Sequence, residues 1–265
     1  MKHFESFMAP QLQQYAAYRQ VLGYAKKCIK PPLLAFDRYL IEQNASWDQL
    51  QPAFFLQLRA TISDHPNTVN KILSALRSFF QFLVRNDICV DNPLKDIPPL
   101  PERYFVPFVF SPAQTERLLQ AAGQNIRKTP KYFLTDMAIY LAIVLLARCG
   151  MRINEPLRMH RDQYCRPDGT VYIEKTKFRK DRLIPVPKIA LTQIEIYLAV
   201  RTALRADDQN PYLFAARKQR QLRGRQVRDA FHQAVKDIRI NQPKQVIGNI
   251  TFGNPLPHSL RHAFA

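Results

Sequence analysis

Four basic side chains in the second half of the chain are of the types that a phosphate site requires. Arg152 follows an apolar run, and Lys177 lies in a strongly charged stretch. His258 and Arg261 are three residues apart, so a helix there would turn both side chains toward one point. Arginine binds two phosphate oxygens with one planar fork, and an imidazole can hydrogen-bond a phosphoryl oxygen. Together these residues predict a site that stabilises charge on a pentacoordinate phosphorus.

Each assignment has a simpler alternative. Arg152 can cap a helix end and pair with Glu155, which is an ordinary role for an arginine at such a position. Lys177 is one of five cations in the eight residues 175–182, and a charge run of this kind is usually a solvated face. A flexible lysine above a scissile phosphate can also act as a general acid that protonates the leaving 5′ oxygen. Lys175 and Lys180 are rivals of Lys177 for that role.

Further basic residues suit contacts with a phosphate backbone. The stretch 217–228 has six cations in twelve residues without an acid, and a merely solvated helix is the alternative. A helix that starts at Asn67 or Thr68 has an apolar stripe on one side and polar residues on the other. The expected DNA-contacting residues from these stretches and from the charged turn are Asn70, Lys71, Arg77, Arg85, Lys175, Arg179, Lys180, Arg220, Arg223 and Arg225.

Net charge limits the classes of partner. The 265 residues contain 39 lysines and arginines against 21 acids, a formal charge of +18, which favours nucleic acid or an anionic membrane as partner. The most apolar run, from Tyr132 to Leu146, contains Asp136 and is short for a membrane span, so it predicts a buried helix. Without a secretion signal, the chain is expected in the cytoplasm. Its four scattered cysteines are expected to be reduced thiols.

The fold is expected to be mainly α with a small β-sheet, because the chain has only seven glycines and many helix-favouring residues. Residues 1–88 show helical spacing in four runs: 7–24, Pro31 to Ile41, Ser46 to Ile62, and the helix that begins near Asn67. Prolines crowd the following segment, and residues 89–110 are interpreted as an interdomain linker.

The second domain, 111–265, is expected to begin with a helix capped by Ser111. A buried helix at about 129–148, ended by Gly150, comes next. Strands at 171–174 and 182–186 flank the charged turn, and helices follow at 188–204 and 223–238. His258 and His262 have a spacing that can hold zinc, but no third ligand is evident, so neither a metal nor another cofactor is expected. His262 is interpreted as a packed core histidine.

The segments from Ala147 to Glu155 and from His258 to His262 resemble the two signature boxes of the tyrosine recombinases, the phage-integrase family. The resemblance implies a helical, SAM-like core-binding domain and an α+β catalytic domain that close around double-stranded DNA. It matches Arg152, Lys177, His258 and Arg261 to the family's active site and Glu155 to a supporting acid. The implied activity is site-specific breakage and rejoining of DNA through a phosphotyrosyl intermediate, for a mobile element, by a homo-oligomer on DNA when intact.

The nucleophilic tyrosine of the family follows the second box. Here the tyrosines, such as Tyr164, Tyr172, Tyr197 and Tyr212, precede that box. The 265-residue chain is therefore expected to bind DNA but to be inactive in strand cleavage. The alternative is a non-catalytic DNA-binding protein that occupies recombination sites, whereas a basic helical protein that binds RNA would leave the paired boxes unexplained.

Overall fold

The computed structural model describes residues 3–62, 65–174, 181–205, 208–216 and 220–264. The chain divides into two compact units, Met1–Tyr104 and Phe105–Ala265, each with its own apolar core. Helices dominate both units, and the described strands form two small three-stranded sheets. The expected fold class, mainly α with a small amount of sheet, is confirmed.

The described part of the first unit contains four α-helices: α1 Ala9–Val21, α2 Lys26–Glu42, α3 Pro52–Thr61 and α4 Pro66–Arg85. The apolar stripe of α4 is buried, as its periodicity predicts. The sequence predicted that the second helix starts at Pro31, but α2 begins earlier, at Lys26. Pro31 and Pro32 both lie in the second turn, so their missing N–H groups leave only first-turn carbonyls without their helical bonds. The run from Ser46 is split into a 3₁₀ turn, Trp47–Gln49, and α3, because Pro52 opens a new helix.

The segment expected as a linker, 89–110, is fixed to the first unit over much of its length. Leu94 and Ile97 are buried in that unit's core. Arg77 donates from Nε to the Leu94 carbonyl at 3.1 Å and from Nη2 to the Ile97 carbonyl at 2.9 Å. Asn70 exchanges two hydrogen bonds of 2.8 Å with the backbone of Leu100. Prolines bar this segment from a helix but leave its carbonyls free to accept, so side chains of α4 hold it.

The elements of the second unit follow in chain order, with β1 crossing the boundary. They are β1 Tyr104–Val106, α5 Pro112–Gln124, α6 Phe133–Arg148, α7 Asn154–Arg158, β2 Tyr164–Cys165, β3 Thr170–Ile173, β4 Arg182–Pro185, α8 Lys188–Leu204, α9 Gly224–Asp237, β5 Gln245–Ile247, β6 Ile250–Phe252 and α10 Pro257–Phe264. Ser111 caps α5 in a capping box with Gln114, as expected. The sheet β1-β6-β5 was not predicted, because its short strands are largely exposed and lack an alternating pattern.

Helix α6 forms the centre of the second core. It is apolar on all sides and packs against α5, α8, α9 and α10, which explains its near-complete burial. Strands β3 and β4 pair antiparallel, with Val171 opposite Ile184 and Ile173 opposite Arg182. The chain therefore reverses between these strands, as predicted. The charged residues of that turn, Lys175, Lys177, Arg179 and Lys180, lie outside the described residues.

Candidate active site

The turn after α6 fixes Arg152. Gly150 adopts a φ of +57°, a conformation that glycine reaches without strain, and reverses the chain into α7. In the first turn of α7, Glu155 accepts the Arg152 backbone N–H on Oε2 at 2.7 Å and the Arg152 Nη1 on Oε1 at 3.1 Å. The simpler pairing expected for Arg152 is therefore present. The Arg152 side chain keeps 34% of its surface exposed, so the rest of the guanidinium can reach a ligand.

Helix α10 brings the second arginine to the same turn. The helix is held by Leu260 and Ser259, which are buried, and it packs on α6. From this position Arg261 donates through Nη1 to the carbonyl oxygen of Gly150 at 2.5 Å. A Cβ placed on Gly150 would lie 2.5 Å from Cδ1 of Phe264, so the glycine also allows α10 to approach closely. The two segments that carry the predicted site residues therefore meet.

A third arginine, Arg182, joins Arg152, Arg261 and Glu155 in an arginine cluster. Arg182, the first residue of β4, donates from Nη2 to Glu155 Oε2 at 2.5 Å. Glu155 is only 9% exposed and is shared by Arg152 and Arg182. In the sequence, Arg182 is one member of a charge run and has no predicted role. Its position at the start of a strand was visible in the sequence, but its pairing with Glu155 was not.

The electrostatics of the site favour an anion. Burial lowers the pKa of Arg261, and the charges of Arg152 and Arg182 lower it further against an opposing effect of Glu155. Partial desolvation lowers the pKa of His258, with additional contributions from His262, Arg261 and Arg152. Neutral pH therefore favours a neutral His258 imidazole in the free protein, which can donate or accept one hydrogen bond. A bound phosphate would reduce the repulsion among these groups.

His262 does not lie in the core, which corrects the prediction for this residue. It is exposed and packs edge-on against the ring of His258, with 4.8 Å between the ring centroids. The reason is that α10 buries the side that carries Ser259 and Leu260, which leaves His262 facing outward. Among the described residues, no group of three His, Cys, Asp or Glu side chains is placed to hold a metal ion.

The hydroxyl groups of Tyr164, Tyr172 and Tyr197, which the sequence singled out, have defined partners. Tyr164 donates to Glu195 at 2.6 Å, and Tyr172 donates to Asp181 at 2.6 Å. Tyr197 is buried and accepts the Ala215 N–H at 3.1 Å. Burial and the hydrogen bond to Glu195 raise the pKa of Tyr164, so its phenolate is disfavoured. The ring of Tyr212 lies against His160, with 5.0 Å between centroids.

The predicted DNA-contacting residues fall into three groups. On α4, Lys71 and Arg85 are exposed, whereas Asn70 and Arg77 bind the segment 92–100. Near the start of α9, three arginines line a cavity of about 840 Å³ bordered by α5 and α6: Arg220, Arg223 and Arg225. The described residues do not include Lys175, Arg179 and Lys180.

The helix α9 begins beside the candidate site. A Cβ on Gly224 would lie 3.6 Å from Cδ1 of Leu157 in α7, the helix that carries Glu155. Arg223 and Arg225 flank this glycine in the chain, and their side chains line the cavity bordered by α5 and α6.

Comparisons with known proteins agree with this arrangement. The model of the phage integrase family matches residues 109–265, and the model of the phage integrase N-terminal SAM-like domain matches residues 30–87. A tyrosine recombinase XerD of Proteus mirabilis is 30% identical over 88% of this chain and 70% of its own length. A putative integrase/recombinase y4rE of Sinorhizobium fredii is 27% identical over all of this chain and 81% of its own length.

The fold also matches solved structures. A lambda integrase fragment, crystallised as a dimer bound to a COC′ core site, superposes with a TM-score of 0.67 over 96% of this chain and 87% of that one, at 16% identity. XerH recombinase bound to its difH substrate gives a TM-score of 0.66 over 96% of this chain and 71% of the other, at 19% identity.

The matched family model extends over more than half of the sequence and includes both arginine segments of the site. Fold and sequence together define the class as tyrosine-type DNA recombinases. The chain belongs to the phage integrase family, and site-specific DNA recombination is the activity of that class. None of the helices in the described ranges is long and apolar enough to cross a lipid bilayer.

Proposed function

We propose that the site around Glu155 binds the scissile phosphate of duplex DNA while a recombination site is broken and rejoined, in the service of a mobile element. The observation that carries this proposal is the meeting of Arg152 and Arg261 at the Gly150 turn. Two guanidinium groups held by a carbonyl and a carboxylate keep free N–H donors for phosphoryl oxygens. Such preorganised donors stabilise the charge that develops on the phosphorus.

The other side chains have separate roles in this proposal. His258, neutral in the free protein, donates a hydrogen bond to a phosphoryl oxygen, and the charge of the phosphate favours proton uptake by the imidazole. Lys177, which lies between β3 and β4 in the sequence, protonates the leaving 5′ oxygen, with Lys175 and Lys180 as alternatives. Glu155 orients Arg152 and touches no substrate atom.

Strand cleavage by this mechanism needs a phenol oxygen at the phosphorus. The hydroxyl groups of Tyr164, Tyr172 and Tyr197 are engaged with other residues. We therefore propose that the polypeptide 1–265 by itself binds DNA without forming a covalent adduct.

Contacts with the DNA backbone are assigned to basic residues of both units. The exposed Lys71 and Arg85 of α4, the arginines Arg220, Arg223 and Arg225, and the turn residues Lys175, Arg179 and Lys180 supply charge. Asn70 and Arg77 contribute by holding the segment 92–100. Relatives of known structure are dimers or tetramers on DNA, and this protein is proposed to act as a homo-oligomer there, in the cytoplasm.

A binding assay on random-sequence duplexes tests the proposal. We expect tight binding whose affinity falls steeply as the salt concentration rises. The reason is that the basic side chains of the protein release counterions condensed on the phosphates, and added salt opposes this release. Arg152→Ala should change this affinity little, since one of many phosphate contacts is lost. DNA sequences that the protein enriches from a random library should then be prepared as nicked duplexes, which trap a covalent protein–DNA intermediate, and incubated with the protein. A protein–DNA adduct formed by residues 1–265 would contradict the non-covalent part, and absence of duplex binding would refute the function as a whole.

A further inference from the structure

We propose that Arg182 is a positioning residue of the phosphate site, which neutralises Glu155 so that Arg152 and Arg261 present their charge to the phosphate. The inference rests on the function proposed above and adds a member to the site. Nothing in the spacing of the charged stretch distinguished Arg182 from its four basic neighbours. Its role follows from where β4 places it.

The geometry shows how Glu155 is divided between two arginines. Its Oε2 receives the Arg182 Nη2 at 2.5 Å, while the guanidinium of Arg152 reaches Oε1 at 3.1 Å. The closer ion pair is therefore the one with Arg182. Arg152 is held mainly by its backbone N–H, at 2.7 Å from Oε2, so its guanidinium is oriented without being fully neutralised.

The charge of the cluster depends on this division. Three arginines and one carboxylate carry a net charge of +2, and without Arg182 the remaining groups carry +1. A phosphodiester carries one negative charge, and the pentacoordinate species carries two once the attacking oxygen has lost its proton. Arg182 therefore supplies the charge that matches the transition state, and its proximity is evident in its effect on the pKa of Arg261.

Strand pairing fixes the backbone from which Arg182 extends. Its Cα lies opposite Ile173 in the β3–β4 ladder, and the side chain is 30% exposed. The Nε–H is buried and has no hydrogen-bond partner among the described residues. A buried donor next to two other guanidinium groups is costly unless an anion approaches. The sheet therefore holds in place a cation that a phosphate would stabilise.

Binding of inorganic sulfate tests the role of Arg182, because this tetrahedral dianion keeps its charge across the working pH range. Affinity can be followed from the side-chain NMR signals of the site arginines and His258. We expect Arg182→Gln to bind sulfate about tenfold more weakly than the wild type, which corresponds to about 1.4 kcal/mol. Arg182→Lys, which keeps the charge, should restore affinity to within about twofold.

The matched control is Arg148→Gln. Arg148 lies at the end of α6 and forms a two-bond ion pair with Glu116 at 2.6 and 2.7 Å, outside the cluster. This variant should bind sulfate like the wild type. Thermal unfolding of each variant checks that the fold is retained, and Arg182→Lys keeps the comparison valid if Arg182→Gln is unstable.

Two results would overturn the inference alone: an Arg182→Gln variant that binds sulfate like the wild type, or an Arg182→Lys variant as weak as Arg182→Gln. The second result would mean that Arg182 has a structural role that depends on its planar guanidinium group and not on its charge. If the wild type bound neither sulfate nor duplex DNA, the proposed function would fail and this inference with it.

Discussion

Arg261 donates a hydrogen bond of 2.5 Å to the carbonyl oxygen of Gly150, a residue 111 positions earlier in the chain. This bond joins the last described helix to the turn that follows the most buried helix. Burial lowers the pKa of Arg261, and the nearby charge of Arg152 lowers it further. The arrangement is electrostatically unfavourable in the free protein, and an anion at this point would relieve it.

Replacement of Gly150 by alanine should lower the free energy of unfolding by about 1–3 kcal/mol, because the residue has φ of +57° and its new Cβ would meet Phe264. Urea denaturation measures the loss. Gly248→Ala is the matched control, since Gly248 has φ of +60° and open space around the position of its Cβ. The difference between the two variants isolates the contact with Phe264. Adding Phe264→Ala should remove that difference; a difference that persists would contradict the steric explanation.

Arg201→Met should destabilise the second unit by about 3–5 kcal/mol. Arg201 is 2% exposed, pairs with Asp208 at 2.6 Å and donates to the carbonyls of Tyr212 and Asn210. Its removal leaves a buried carboxylate and unpaired carbonyls. Arg161 contacts the same Asp208 at 3.5 Å but is 44% exposed, so Arg161→Met should cost less than about 1 kcal/mol. Equal losses in urea denaturation would show that burial does not decide the energetics.

The ion pair between Arg201 and Asp208 also predicts that stability depends on pH. Burial would raise the pKa of Asp208, but hydrogen bonds from Arg201 and Asn210, with the charges of Arg201 and Arg161, lower it overall. A carboxylate with a lowered pKa in the folded state stabilises the fold above its ordinary pKa, and this contribution is lost as the pH falls through the folded value. The free energy of unfolding should therefore drop in acid in the wild type and drop less in Arg201→Met.

His258 should couple anion binding to proton uptake. Its pKa is lowered in the free protein, and the negative charge of a bound anion raises it. The affinity for sulfate should therefore increase as the pH falls from 8 to 6, and His258→Asn should lose most of this increase. The control is His160→Asn, because the His160 ring packs against Tyr212 and His160 is not among the groups that shift the pKa of His258. If His258→Asn keeps the full pH dependence, another group takes up the proton.

Arg77→Ala should release the segment 92–100 from α4. Two hydrogen bonds to carbonyls of that segment are lost, and we expect a destabilisation of about 1–3 kcal/mol with faster proteolysis inside the segment. Limited proteolysis followed by mass spectrometry locates the cuts. Gln81→Ala, an exposed position on the same helix, should leave the pattern unchanged. Equal protection of the segment in Arg77→Ala would assign its attachment to the buried Leu94 and Ile97 and to the hydrogen bonds of Asn70.

Local patterns in the sequence were sufficient for several elements. The apolar spacing of α4, the Ser111 cap of α5 and the bounds of α8 were all predictable, because helical periodicity and capping depend on residues a few positions apart. Tertiary packing altered other expectations. The prolines after residue 91 indicated an interdomain linker, and in the structure side chains of α4 bind carbonyls in its first part. His262, which was predicted to lie in the core, faces outward because α10 buries its other side.

Residue type alone identified the side chains suited to a phosphate, and a spacing of three placed His258 and Arg261 on one helix, because both are local properties of the chain. The contacts of Arg261 with Gly150 and of Arg182 with Glu155 became evident only in the packed fold. Those contacts depend on which carbonyl and carboxylate oxygens remain unpaired once α6, α10 and the β3–β4 sheet have packed. Hydrogen bonds between residues so distant in the chain are set by that packing, which no short segment encodes.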